Sequence, residues 1–264
     1  MQLAEDQKNS NPFEVFYQSP VYLEFKNHLY NYRLRRSEIR KQLLKLKAPG
    51  PILEIGSGIS TMADTSFGRP VIFSDLSIEG VSFLKQKGIA KHALVMSITD
   101  IAFKDRSAGA IVCSEVLEHV KDDSRALDEM ARILRPGGSL ILTVPAHLWY
   151  FSFDDHFVKH ERRYAVAPFL EEIRKKGFED LQLVKVTGFL DKLAMLVLTL
   201  VYSMFGAKDK SLSDSSAGNF IFKGLLPVYK ILNWIFGKIV NLEAKVMPLA
   251  TTAVILVHAR RKVD

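Results

Sequence analysis

Cysteine is almost absent: Cys113 is the single cysteine in 264 residues. It lies in the apolar run "AGAIVCSEV". An intramolecular disulfide and a clustered-thiolate metal site are therefore excluded, and a reducing compartment fits. Runs long enough to span a membrane are missing around the most apolar helix candidate. "LAMLVLTLVYSMF" (193–205) falls short of the roughly 20 residues needed. The N-terminus, "MQLAEDQKNSNPFEVF", has neither a basic leader nor an apolar stretch of signal-peptide length, so the expectation is a cytoplasmic protein. No internal repeat is visible, and the only low-complexity stretch is the short loop "KDKSLSDSSAGN" (208–219). With 48% hydrophobic and 25% charged residues, the chain can bury a substantial core.

Lys and Arg exceed Asp and Glu by 36 to 29, a net +7. This charge suits nucleic acid, an anionic membrane or a phosphorylated substrate without choosing among them. The segment "YNYRLRRSEIRKQLLKLK" (30–47) concentrates it. Its plainer reading is an amphipathic helix with Leu34, Ile39, Leu43 and Leu46 inside and a solvated basic face outside; phosphate binding is the alternative.

Short β-branched runs recur along the chain: "PILEI" (51–55), "VIFSD" (71–75), "ALVMS" (93–97), "AIVCS" (110–114) and "SLILTVP" (139–145). They read as strands buried on both faces. Helical patterns at 60–67, 77–88 and 121–135 separate them, the last two closed by Gly88 and by Pro136-Gly137-Gly138. This alternation predicts an α/β fold, a Rossmann-like doubly wound and mostly parallel sheet. "LQLVKV" (181–186) and "TTAVILVHA" (251–259) read as two final strands split by a helical, apolar insertion. The expected organisation is an N-terminal helical segment (1–48), a core (49–188), the insertion (189–250) and a closing strand (251–264).

In such a sheet, ligands lie beyond the carboxyl ends of the strands. The first strand is followed by Glu54-x-Gly56-x-Gly58, where glycine lets the backbone approach a ligand, and the second ends in Asp75, placed to accept from a ribose diol. The pair points to a nucleoside-containing cofactor, either a dinucleotide or S-adenosylmethionine.

Five collinear segments, "ILEIGSGIS", "IFSDLS", "SITDIAF", "AIVCSEVLEHV" and "EMARILRPGGSLILTVP", resemble the class I S-adenosylmethionine-dependent methyltransferases of the type 11 domain group. The resemblance implies S-adenosyl-L-methionine as cofactor, bound near Glu54, Gly56, Gly58, Asp75, Ser97, Ile98 and Ser114. The stretch 144–183 is similar to a subgroup carrying Asp, His and Arg-Arg-Tyr, here Asp155, His160, Arg162, Arg163 and Tyr164. Ser60, Ser97 and Gly109-Ala110 depart from the pattern.

Methyl transfer is a direct displacement that needs alignment and, for a hydroxyl acceptor, a base. The catalytic candidates are His119, His160 and Glu115; His147, Arg162, Arg163 and Tyr164 are the substrate-binding candidates. Glu115, Glu118 and His119 would share one face of a helical turn, and some relatives hold Mg²⁺ on a similar arrangement. No fourth ligand follows from spacing, so Mg²⁺ is not favoured and no metal residues are assigned.

Within the insertion, Lys223, Lys230, Lys238 and Lys245 recur at near-heptad intervals beside Phe222, Leu226, Ile231, Trp234, Ile235 and Ile239. This is the pattern of a membrane-surface helix or of a cap packed on the core or on a second subunit, with Pro227 expected to kink or start the helix. The reading favours methylation, O-methylation first, of a small or lipid-linked acceptor by a cytoplasmic enzyme. It disfavours a nucleic-acid partner and leaves a membrane surface and a homo-oligomer open. The alternatives are a catalytically silent cofactor-binding scaffold and a membrane-peripheral interaction protein.

Overall fold

A computed structural model describes residues 26–64, 67–205 and 216–263, without the side chains of 201–202, 204–205 and 216–223. Residues 1–25, most of the 208–219 loop, and the side chains of Phe222 and Lys223 lie outside the described residues.

The elements run α1 (Tyr30–Leu43), β1 (Ile52–Ile55), β2 (Val71–Asp75), α2 (Ile78–Gln86), β3 (His92–Val95), β4 (Ala108–Ser114), α3 (Asp123–Ile133) and β5 (Leu134–Pro145). They continue with α4 (Phe153–Phe157), α5 (Val166–Lys175), β6 (Phe178–Thr187), α6 (Phe189–Phe205), α7 (Ser216–Val246) and β7 (Val254–Arg261). The seven strands form one sheet in the order β3-β2-β1-β4-β5-β7-β6. β1 to β5 pair in parallel, and β7 runs antiparallel between β5 and β6. β1 is buried throughout and β4 nearly so, as continuous apolar runs require when both faces are covered. One face packs Ile111, Leu127, Met130 and Leu142 under α3 and α5; the other packs Ile39, Phe73, Leu84 and Val112 under α1 and α2.

The helix predicted at 60–67 is absent from residues 60–64, which form bends and irregular chain. Glu54 explains this: its carboxylate accepts from the amides of Met62 at 2.8 Å and Ala63 at 2.7 Å and so holds the segment in a loop. The helix predicted at 121–135 ends at Ile133, where β5 begins. The Pro136-Gly137-Gly138 stop is a bulge inside that strand, with the register shifting between Ala108↔Leu134 and Ala110↔Ser139.

The Gly109 departure has a steric cause. A Cβ there would stand 2.5 Å from the Pro49 carbonyl oxygen, because the chain entering β1 crosses over the start of β4. Ala110 beside it is completely buried against that same layer.

α1 places Ile39 and Leu43 in the core, with Leu34 and Leu46 packed against it, as the stripe predicted. The insertion lies between β6 and β7 as expected. α7 neither starts at Pro227 nor stops there, since Pro227 lies inside the helix. It crosses α1 closely: a Cβ on Gly237 would lie 3.2 Å from that of Tyr30, whose ring meets Phe236 edge-on at 4.8 Å. Among the described residues no helix is long and apolar enough to cross a membrane.

Gly109→Ala is expected to lower unfolding free energy by about 1–3 kcal/mol, the usual cost of overpacking against backbone. Urea denaturation measures this, and an unchanged midpoint would refute the crossover account.

Candidate active site

β1 and β4 are neighbours whose chains continue in opposite directions across the sheet, and the crevice between their carboxyl ends opens into a cavity of about 1790 Å³. Small-ligand pockets typically measure about 300–1,000 Å³, so this one has room for a cofactor and an acceptor.

The first end is built from the β1 turn. Gly56 and Gly58 have φ of +71° and +52°, and a Cβ on Gly56 would fall 2.2 Å from Val116 Cγ2, so this turn requires glycine there. Asp75 accepts from the amides of Gly58 at 2.7 Å and Ser77 at 2.9 Å, fixing its carboxylate at the β2 terminus on the cavity wall. Ser97 and Ile98 line the same wall, Ser97 sharing a hydrogen bond with Thr99 at 2.9 Å and forming a bridge with Asp100. Ser114 lies across from them, bonded to Thr143 at 2.8 Å.

Glu54 also lines the cavity, yet its two oxygens are already engaged by the Met62 and Ala63 amides. Burial raises its pKa to about 7 against the pull of those bonds. Ser60, where a third glycine was expected, has a structural use. Its hydroxyl donates to Asn27 at 2.7 Å and accepts from Arg36 at 3.0 Å, tying the loop to α1 and the residues before it.

The second end is walled by charge. Glu115 follows β4 at φ +55° and pairs with Arg35 of α1 at 3.0 Å, both largely buried. Glu118 and His119 lie in a 3-10 turn, so the three residues do not share the single helical face that the spacing suggested. The structure brings together Glu118, His119 and His160 instead, with one ligand atom from each lying within 4.8 Å of the others. Glu118 is fully buried and neither carboxylate oxygen has a hydrogen-bond partner; burial, then Glu115, raises its pKa well above the usual range. His119 reaches the Lys159 carbonyl through Nδ1 at 3.2 Å. A carbonyl accepts only, so Nδ1 carries the proton and Nε2 keeps its lone pair. Its ring edge is open to the cavity, but crowding by protein, then by His160, pushes its pKa down to about 4.

His160 is positioned by Asp155, which accepts from its Nδ1 at 2.8 Å, from Arg163 Nε at 2.7 Å and from Lys192 Nζ at 2.8 Å. Burial would raise the Asp155 pKa, but His160, Arg163 and Lys192 together hold it well below the usual carboxylate range. Arg163 lines the cavity. The other substrate-binding candidates are tied elsewhere, outside the lining. Arg162 and Tyr164 bond Asp123 of α3, each at 2.9 Å, and His147 bonds the Leu249 carbonyl at 2.8 Å. The structure thus does not bring these three into the cavity lining.

Sequence reasoning missed Arg35, Lys192 and Asp191, all on the cavity wall. Asp191 accepts from Tyr30 and from Thr187, both at 2.6 Å. The available signal was an adjacent Asp-Lys pair in an otherwise apolar helix, since buried charges there need partners.

Residues 53–142 match the profile described as a methyltransferase domain. Over those residues the chain is similar to methyltransferase domains. The chain is 27% identical over 154 residues to a probable S-adenosylmethionine-dependent methyltransferase of Mycolicibacterium smegmatis, covering 56% of this chain and 60% of that protein. It is 31% identical over 99 residues to a ubiquinone biosynthesis O-methyltransferase of Xanthomonas oryzae, covering 35% of this chain and 41% of that one. The matched stretches thus span less than two thirds of these relatives. Phosphoethanolamine N-methyltransferase 2 of Haemonchus contortus, solved with S-adenosyl-L-methionine, shares the fold at a TM-score of 0.56 and 18% identity, over 86% of this chain and 52% of that one. The matched region contains Gly56, Asp75, Ser97 and Ser114, while Arg35, His160, Arg163 and Lys192 lie outside it.

The Asp155 node carries a pH signature. Its folded pKa lies below the unfolded value of about 3.9. The stabilisation is therefore complete above that value and is lost as pH falls through the folded one. Asp155→Asn is expected to be less stable at neutral pH and to lose less stability on acidification below about pH 4. Urea unfolding at several pH values checks this; parallel acid slopes would contradict it.

Proposed function

We propose that this chain is an S-adenosylmethionine-dependent methyltransferase that methylates a hydroxyl of a small or lipid-linked acceptor. The cofactor sits between Gly56, Asp75 and Ser97; the acceptor enters beside Glu115, His119 and the inserted helices. The observation that carries this reading is His119, whose Nδ1 donates to the Lys159 carbonyl and leaves Nε2 free to accept a proton, on the cavity wall just past the β4 end. The bound cofactor would supply an electrophilic methyl group on a sulfonium. Transfer of that methyl group would break its carbon–sulfur bond and release S-adenosylhomocysteine, with His119 Nε2 placed to take the hydroxyl proton of the acceptor; His160, held by Asp155, buttresses the His119 ring at 4.7 Å between centroids. Arg35 pairs with Glu115 and fixes it beside the reaction space. The buried free thiol of Cys113 supports a cytoplasmic setting, with a membrane as the source of a lipid-linked acceptor.

A second reading rests on Glu118. A fully buried carboxylate whose oxygens accept no hydrogen bond, with His160 Nε2 3.8 Å from Oε1 and His119 alongside, has the donor set of a divalent-cation site. Glu118, His119 and His160 would hold the ion, which would keep Glu118 ionised and draw an acceptor oxygen toward His119.

Calorimetric titration with S-adenosylhomocysteine is expected to show binding that weakens by roughly 10- to 100-fold in Asp75→Ala, the cost of about one charged hydrogen bond. Absence of binding by the wild type would end the methyltransferase reading. Titration with Mn²⁺, followed by electron paramagnetic resonance, tests the second reading. Saturable binding lost in Glu118→Gln supports it, and no binding rejects it.

A further inference from the structure

The outer surface of the insertion is unusual for a water-facing helix pair. On α7, Leu232, Ile235, Ile239, Leu242 and Val246 are all exposed, spaced three and four residues apart, so they form one stripe along the helix. The opposite face is occupied by the chain's own packing through Phe236, Val240 and Ala244. On α6, Leu193, Val197 and Leu200 form a second exposed stripe. The stripes converge where the Leu190 amide donates to the Glu243 carboxylate at 3.1 Å: exposed Phe189 adjoins one partner and exposed Leu242 the other. So large an apolar surface marks an interaction site.

Charge identifies what covers it. Lys238 and Lys245 lie exposed along one flank of the α7 stripe, and Lys238 sits over the exposed Trp234 ring at 5.6 Å. Among the described side chains, the acids of the two helices are withdrawn from this face. Asp191 is buried against Tyr30 and Thr187, and Glu243 is turned to the α6 amide. The three-four spacing would also suit a partner helix. Among the described side chains, however, a second copy of this chain on the same face would add only lysines to the rim, with no exposed acid of these helices to pair them. An apolar face bordered by lysines and a tryptophan matches an anionic bilayer, with the stripe among the acyl chains and the cations at the headgroups.

We propose that the exposed face shared by α6 and α7 docks on an anionic lipid bilayer. The geometry gives the docking a use: Met195 and Thr199 of α6 and Tyr229 of α7 line the cavity from the inner side of these helices. One helix pair thus separates the acceptor end from the bilayer, and a lipid-linked acceptor has a short path between them. The docking deepens the methyl-transfer reading and rests on it for the acceptor alone.

The test is co-sedimentation of the full chain with phosphatidylglycerol-containing vesicles and with pure phosphatidylcholine vesicles, alongside light scattering in solution. Binding is expected to the anionic vesicles, weakened by salt. It should fall roughly tenfold or more in Lys238→Glu/Lys245→Glu and be abolished in Ile235→Glu/Leu242→Glu. Both variants change exposed residues and should bind S-adenosylhomocysteine as the wild type does. That keeps a failure of docking distinct from a failure of the cofactor site or of folding. Absence of vesicle binding by the wild type overturns the proposal. So does a dimer in solution that Ile235→Glu/Leu242→Glu converts to monomer, which would assign the face to a second copy.

Discussion

The cavity wall beyond the end of β4 depends on the Asp155 carboxylate. It is almost completely inaccessible to water and accepts from three side chains that come from two directions: His160 and Arg163 further along its own loop, and Lys192 from α6. Asp154 adds a second bond to Lys192 at 2.6 Å. Buried ion pairs contribute little net stability, but the loss of one partner strands the others as uncompensated charges. The arrangement therefore acts as an all-or-none clamp. With it formed, the imidazole of His160 faces His119, Arg163 lies on the cavity wall, and α6 is locked to the core; without it, none of these positions is specified.

A second pair of contacts closes the same chamber from α1. Arg35 meets Glu115 just past the end of β4, and Tyr30 donates to Asp191 of α6 while packing its ring on α7. The basic stretch that looked like a solvated surface is thus partly an internal wall. Its arginines neutralise carboxylates and brace the β1 loop through Ser60 and Thr61. The half of the cavity at the β1 and β2 ends is assembled differently, from backbone conformation and amide bonds to Glu54 and Asp75. The two halves meet at the end of β4, where Ser114 faces one and Glu115 the other.

This difference in construction explains what could be read from sequence. The strands, their parallel order and the Gly56, Gly58 and Asp75 turn were legible because each is encoded within a few residues. The 60–67 helix failed because the Glu54 side chain captured amides eight and nine residues away, which local propensity does not register. The Glu115, Glu118 and His119 grouping failed for a similar reason. A positive φ at Glu115 and a 3-10 turn after it replaced the α-helical spacing, and the third member of the cluster, His160, comes from forty residues downstream. Arg35 and Lys192 were missed because their carboxylate partners are distant in sequence. Arg162, Tyr164 and His147, read as substrate contacts, lie outside the cavity lining and bond Asp123 and the Leu249 carbonyl.

The central claim is that one cavity binds S-adenosylmethionine at the β1, β2 and β3 ends and leaves the acceptor end, closed by α1 and the insertion, free for a second molecule. Hydrogen–deuterium exchange with and without S-adenosylhomocysteine measures this directly. The account predicts new protection confined to residues 56–62, 75–79, 96–100 and 114–119, with α7 unchanged. Protection absent from those segments, or concentrated in α6 and α7 instead, would contradict it.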